Sequence, residues 1–214
     1  AEKVVLKICT QQQSSEHFSP VLLILNEGIL GALAKEAGIE TFHLPFKLKL
    51  KNLFSFYRTI KYIRKLIKEK NIKIIHATMA YSHIVSFFSS FGLNVKRVWF
   101  QHGPVGGLLD KMALLLPVEK IYFNSDFLLQ EHSKSESVIS KMISRPEKII
   151  IPLGITSDHT KDTDDIRKKY LNQKESVLIG SVGRIAPLKN YQALVNAIIY
   201  IRNQNEEFYE KIKV

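Results

Sequence analysis

The sequence predicts an α/β chain built on a parallel sheet, and three observations predict it. Short runs of Val, Ile and Leu alternate with longer amphipathic stretches through most of the chain. Those runs are apolar on both faces, as in strands that helices cover from each side. Turn residues punctuate the alternation, with Gly closing a helix and Asn or Ser opening one.

Taken in order, a first helix includes residues 4–8, with Val5, Ile8 and Cys9 on its apolar side. Residues 21–25 (Val-Leu-Leu-Ile-Leu) form a strand, and 29–37 a helix closed by Gly38. A short strand over 41–44 leads to Asn52, which opens a long helix to about Lys70. Strand 72–76, helix 81–90, strand 98–100, helix 108–115 and strand 120–123 follow. Helix 126–133 and strand 148–151 complete a first domain, 1–155. From Pro152 to Asp165 the chain turns polar and reads as a linker into a helix over 165–171. The second domain, 156–214, then supplies a strand over 177–182 and a helix over 191–201.

Composition narrows the class. The 214 residues are 45% hydrophobic, enough for one large domain or one and a half smaller ones. One cysteine excludes a disulfide framework and fits a reducing compartment, with Cys9 as a buried structural thiol. No apolar run reaches the roughly 18 residues of a membrane span, and Ala1 to Leu6 does not read as a signal peptide. A cytoplasmic protein is expected.

The formal net charge is +11, and it is concentrated. Residues 47–73 hold ten Lys or Arg against Glu69 alone, a net +9. Their helix carries an apolar stripe of Leu53, Phe56, Ile60, Ile63 and Ile67, opposite Arg58, Lys61, Arg64, Lys65 and Lys68. Such a helix is either an ordinary solvated surface element or a peripheral contact for an anionic membrane. Nucleic acid is not an expected partner, because no helix-turn-helix, zinc-ligand spacing or RNP-like motif accompanies the charge.

Candidate site residues fall at strand ends, where ligands of open α/β sheets bind. Gly183 ends a strand and Pro187 suits the first turn of a helix, so Arg184 and Lys189 flank a helix amino terminus. Two cations there suit a diphosphate, although the same pair also occurs, simply solvated, in ordinary βα loops. Between strand and helix, Gln101-His102-Gly103-Pro104-Val105-Gly106-Gly107 forces a tight turn whose backbone can approach a ligand. His76 closes another strand, and Asn124-Ser125 precedes a helix that Ser125 can cap. No metal-ligand cluster, G-x-S-x-G elbow or Walker lysine is present, and Asp162-Thr163-Asp164 lies in the linker, so no metal is expected.

Residues 182–189 (Val-Gly-Arg-Ile-Ala-Pro-Leu-Lys) resemble the G-R-[LI]-x-x-x-K signature of family 4 glycosyltransferases, also called glycosyl transferases group 1. The likeness runs over residues 1 to about 202. It implies a GT-B fold: a Rossmann-like, acceptor-side N-terminal domain and the start of a second Rossmann-like domain that binds the nucleotide sugar. By this resemblance Arg184 and Lys189 hold the donor diphosphate. His102 matches the family's HG histidine in the catalytic cleft, and His76, Gln101, Gly103, Gly106, Gly107, Asn124 and Ser125 border that cleft. Lys73, Thr78, Leu153 and Thr156 stand where the family has other residues, so His76 alone transfers from its motif. The implied reaction moves a sugar from a nucleotide diphosphate to a glycan or lipid-linked acceptor with retained configuration, without a cofactor. Two alternatives remain: a GT-B nucleotide-sugar epimerase, or a non-catalytic basic module at the membrane's inner face. Measured against the family, the opening strand with its glycine loop and most of the second domain are expected to be missing. The family's E-x7-E element has no counterpart, and a weak or inactive fragment follows.

Overall fold

In the computed structural model the described residues are 2–26, 28–50, 52–154, 176–183 and 185–213. They fall in two compact units, Ala1–Gly154 and Ile155–Val214.

The first unit alternates helix and strand: α1 (Glu2–Gln13), β1 (Val21–Ile24), α2 (Leu30–Glu36), β2 (Glu40–His43), α3 (Leu53–Glu69), β3 (Ile74–Thr78) and α4 (Met79–Ser90). After these come β4 (Lys96–Gln101), α5 (Leu108–Ala113), β5 (Lys120–Phe123), α6 (Asp126–Ser135), α7 (Val138–Ile143) and β6 (Glu147–Ile150). All pairings are parallel. β1 pairs with β2, starting Val21↔Glu40, and a separate sheet runs β3-β4-β5-β6.

Three apolar clusters hold these layers. α1 and α2 cover one face of the first sheet through Cys9, Ala34, Leu22, Ile24 and Ile39. Burial raises the Cys9 thiol pKa, as suits a structural cysteine. On the other face, Ile63 and Ile67 of α3 meet Val85 and Val95, with Leu23, Leu25 and Ile75 packed against them. The third cluster joins Trp99, Ile121 and Phe123 to Ala80, Ile84, Ala113 and Leu128 of the covering helices. Trp99 and Phe123 are essentially inaccessible, and truncating either to Ala costs about 3–5 kcal/mol.

Several expectations need correction. The strand expected over 72–76 begins at Ile74, because Asn71 takes a left-handed conformation (φ 50°) and Ile72 N–H closes α3 on Ile67 O. Leu53 does not belong to the buried stripe of α3; as the first residue after the Asn52 cap it overhangs the sheet and is 83% exposed. Nor is Arg64 simply solvated, since its guanidinium donates to Phe91 O at 2.7 Å. Helix α7, opened by the Ser137 cap, was not among the expected elements.

In the second unit the strand expected over 177–182 is limited to β7 (Val177–Leu178), and Val182 is fully exposed. A single 3-10 turn (Pro187–Lys189) precedes α8 (Tyr191–Gln204) and α9 (Glu206–Glu210). β8 (Ile212–Lys213) then pairs parallel with β7, so the unit holds a complete strand–helix–strand crossover rather than a strand and helix alone. The expected linker beyond Gly154, with Asp162-Thr163-Asp164 and the helix over 165–171, lies outside the described residues.

Candidate functional site

Around the end of β4 the first unit gathers aromatic and imidazole rings on one sheet face. The register sets His76 of β3 opposite Val98 and Phe100 of β4 opposite Tyr122 of β5. With side chains alternating along each strand, these rings share a face. His76 stacks on Phe100 (6.1 Å, 20°) and meets Tyr122 edge-on at 6.2 Å. His102, just beyond β4, stacks on Phe100 at 4.2 Å. The structure therefore brings His76 and His102 together across one buried phenylalanine.

Electrostatics follow from that packing. Burial foremost lowers the His102 pKa to about 4, so the imidazole is neutral near pH 7. An edge of the His76 ring reaches solvent, but enclosure of the remainder lowers its pKa as well. His102 Nε2 is buried and has no hydrogen-bond partner among the described residues. An unpartnered buried nitrogen in a loop calls for a water or ligand to complete it.

Gln101 occupies the opposite face of β4 and is almost fully buried, so it does not border a cleft. Its Nε2 donates to Gly103 O (3.0 Å), and its Oε1 accepts from His132 Nδ1 (2.6 Å). Behind it, His132 Nε2 lies 3.5 Å from Glu136, whose other oxygen accepts from Lys148 at 2.7 Å. This buried relay, His132–Gln101–Gly103, ties α6 to the turn that carries His102, and the Glu136–Lys148 pair separately ties the end of α6 to β6. Burial foremost keeps the His132 pKa low, so its Nδ1–H serves as donor to Gln101 while Nε2 stays unprotonated.

The two later glycines also differ from expectation. Gly106 and Gly107 N–H both donate to Asp110 Oδ2, at 3.1 and 3.0 Å. The chain's own carboxylate thus satisfies the amides that an anion would have met. Space is open at Gly103, where a Cβ would meet nothing within 4 Å. Ser125 caps α6 by accepting from Leu128 N–H, and Asn124 is half-buried at the end of β5.

Within the second unit, Lys189 is exposed at the end of the 3-10 turn. A Cβ on Gly183 would stand 2.9 Å from the Tyr191 hydroxyl and 3.9 Å from Lys189 Cδ and Cε. Gly183, Lys189 and Tyr191 therefore form one compact corner that a bulkier residue at 183 would push apart. Arg184 lies outside the described residues.

Sequence reasoning missed His132, Phe100, Tyr122 and Asp110. For Asp110 a signal existed: Gly107-Leu108-Leu109-Asp110 has the spacing of an acidic residue folding back on a helix start. No group of three or more His, Cys, Asp or Glu suited to a metal occurs among the described residues. No described helix is long and apolar enough to cross a membrane.

No family model matches the chain, and no curated protein matches it. Solved structures do. A glycosyltransferase from Rickettsia africae ESF-5 superposes with a TM-score of 0.70 at 16% identity, over 94% of this chain and 54% of that one. Anabaena Alr3699/HepE in complex with UDP gives 0.63 at 14% identity, over 92% of this chain and 53% of its own. The same protein with UDP and glucose gives 0.65 at 12% identity, covering 99% and 64%. This chain spans between about half and two thirds of those proteins' lengths. Its fold is α/β with parallel sheets in a Rossmann-like layout, that of GT-B glycosyltransferases.

Proposed function

We propose that the chain is part of a family 4 glycosyltransferase that moves a sugar from a nucleotide diphosphate to a glycan or glycolipid, retaining the anomeric configuration. One observation carries the reading: His102, neutral and with a buried, unpartnered Nε2, stands at the carboxyl end of β4 beside the open space at Gly103. It does so in a fold shared with a UDP-binding neighbour. A neutral imidazole can both donate to and accept from sugar hydroxyls without placing a fixed charge on an uncharged acceptor. Lys189, held beside Gly183, supplies positive charge for the diphosphate, and Arg184 adds a second cation by its place in the sequence motif. The chain on its own is expected to turn over weakly or not at all.

Peripheral attachment to an anionic membrane on the cytoplasmic side belongs to the same proposal. Phe54 and Tyr57, 70% and 63% exposed, project with Leu53 from the start of α3 next to the exposed Lys47, Lys49 and Lys61. Apolar rings flanked by lysines suit an interface that is apolar inside and negative at its surface.

Titration of the 214-residue chain with UDP and GDP, followed by amide NMR shifts, tests the donor half. Expected shifts centre on Gly183 and Lys189, and Lys189→Ala should weaken binding about tenfold, the loss of one charge-assisted contact. No binding of either nucleotide, or equal binding by the variant, refutes the proposal.

A further inference from the structure

We infer that a pocket at the amino edge of the β3-β4-β5-β6 sheet, between the end of α4 and the starts of β4 and β5, binds a small aryl carboxylate through Arg97. The inference uses no part of the donor- or acceptor-site reading, since His102 stands beyond the opposite end of β4.

One turn shapes the apolar walls. α4 ends at Ser90, and Leu93 N–H donates to Ser90 O at 2.9 Å. Between them Phe91 has φ −55° and ψ 126°, and Gly92 has φ 72°, as in a type II turn with glycine at its third position. That turn carries the Phe91 ring outward, where it is 66% exposed. Phe87, one helical turn earlier, lies 5.8 Å from it with the ring planes inclined at 57°. These two rings, with Leu93 and Pro117 beside them, border a space of about 540 Å³. Sites for small organic ligands fall between roughly 300 and 1,000 Å³.

The polar wall centres on Arg97, the second residue of β4. Its guanidinium lies over the Phe87 ring, with 5.3 Å from Cζ to the ring centre. The side chain is 15% exposed, yet its donors are poorly served. Nη1 meets Ser90 Oγ at 3.3 Å and Nη2 reaches Glu119 only at 3.5 Å. Nε is buried and has no hydrogen-bond partner among the described residues. Glu119 is already engaged, because its other oxygen accepts from the Arg97 backbone N–H at 2.7 Å. A guanidinium withdrawn from water carries a desolvation cost that such long contacts offset only in part. An anion in the pocket offsets the rest.

A purely structural arginine at this edge would serve the carbonyls at the end of α4. Those carbonyls have another partner: Arg64 of α3 donates to Phe91 O at 2.7 Å and to Ser89 O at 3.4 Å. Arg64 thereby fixes the turn from behind. It also neutralises the negative end of α4, which would otherwise repel an anion.

Charge and shape together define the ligand. Lys96 and Arg97 line the pocket against Glu119 alone, a net of one positive charge, which suits a monoanion better than a polyphosphate. A carboxylate is planar and accepts two parallel N–H bonds from an arginine. The two phenylalanine rings favour a flat apolar body, stacked with an offset or met edge-on. An aryl carboxylate combines these features, whereas a nucleoside diphosphate has too much charge and a free sugar has none.

Amide NMR shifts of the 214-residue chain, titrated with 2-naphthoate, neutral 2-naphthamide and inorganic phosphate, test the inference. 2-Naphthoate should shift the amides of residues 92–97 and Glu119 with a Kd below about 1 mM. 2-Naphthamide lacks the charge and phosphate lacks the ring, so each should bind at least about tenfold more weakly. Arg97→Gln should weaken 2-naphthoate by at least about tenfold as well. A weaker Kd, shifts centred elsewhere, affinity for either control within that tenfold, or a smaller loss in Arg97→Gln overturns the inference. Should the Arg97 variant fail to fold, Phe91→Ala takes its place, since that ring is exposed. A loss of about threefold or more for 2-naphthoate then supports the pocket, and a smaller loss overturns it.

Discussion

Replacing Gln101 by Leu isolates what holds the His102 turn in place. In the folded chain the Gln101 amide joins His132 Nδ1 at 2.6 Å to Gly103 O at 3.0 Å, and the Gln101 and His132 side chains are both buried. Leucine matches its volume but offers neither donor nor acceptor. The His132 Nδ1–H is then buried without a partner, which costs about 1–3 kcal/mol, and the half-exposed Gly103 carbonyl loses a bond of about 1 kcal/mol. The total expected loss is roughly 2–4 kcal/mol, enough to lower a urea midpoint by about 1–2 M for a slope near 2 kcal/mol/M. His132→Leu should be costly as well, because it orphans the Gln101 oxygen. The double replacement removes both partners, and its cost should fall short of the summed single costs by at least about 1 kcal/mol. Urea unfolding of the three variants and the parent chain measures this cycle. Additive losses, or a Gln101→Leu variant within about 0.5 kcal/mol of the parent, would refute the relay as the anchor of the turn.

Two further outcomes follow from the same geometry. His83 is wholly buried against Trp99 (4.9 Å, 8°), and burial lowers its pKa from an ordinary 6.5 to about 4. Its effect on stability is nil above pH 6.5. As pH falls toward 4 the unfolded chain takes up a proton that the folded chain refuses, a loss of about 3 kcal/mol. His83→Phe keeps the stack and should flatten that part of the curve; parallel urea midpoints for both proteins from pH 7.5 to 4.5 would count against it. At the exposed amino-terminal end of α3, Leu53→Ser with Phe54→Ser should abolish sedimentation with vesicles rich in anionic lipid and leave stability unchanged, since both side chains are exposed. Binding to neutral and anionic vesicles alike, or to neither, removes the membrane contact from the proposal.

The alternation of strands and helices was legible because both periods are strong here, and Lys120–Phe123 needed no adjustment. Boundaries moved where backbone bonds, not side-chain patterns, decided them. Ile72 reads as strand by composition, yet its N–H is committed to the end of α3. β8 escaped notice because two residues carry no period, and β7 was overestimated because β-branched residues also populate exposed loops such as the one holding Val182. At the site, the glycines after His102 were visible as a turn, but the use of their amides by Asp110 was not weighed. Gln101 reads as a cleft residue by its neighbours in sequence. Only the sheet register, which sends its side chain to the face opposite Phe100, shows it to be an anchor, and its partner is 31 positions away.

Under the proposed function, the different charge in the two units implies a division of labour. Near the end of β4 the chemistry is that of uncharged imidazoles and aromatic rings, which match the hydroxyls and apolar faces of a sugar. The glycine corner of the second unit carries instead the Lys189 ammonium, which matches a diphosphate and has little to offer a neutral hydroxyl. Affinity for nucleotide and affinity for acceptor should therefore be separable by mutation. His102→Phe keeps a ring stacked on Phe100 and removes both nitrogens, so UDP should bind this variant as it binds the parent chain, while Lys189→Ala weakens it. Isothermal titration of the two variants decides the matter. If His102→Phe loses as much UDP affinity as Lys189→Ala, the histidine contacts the donor, and the assignment of the first unit to the acceptor fails.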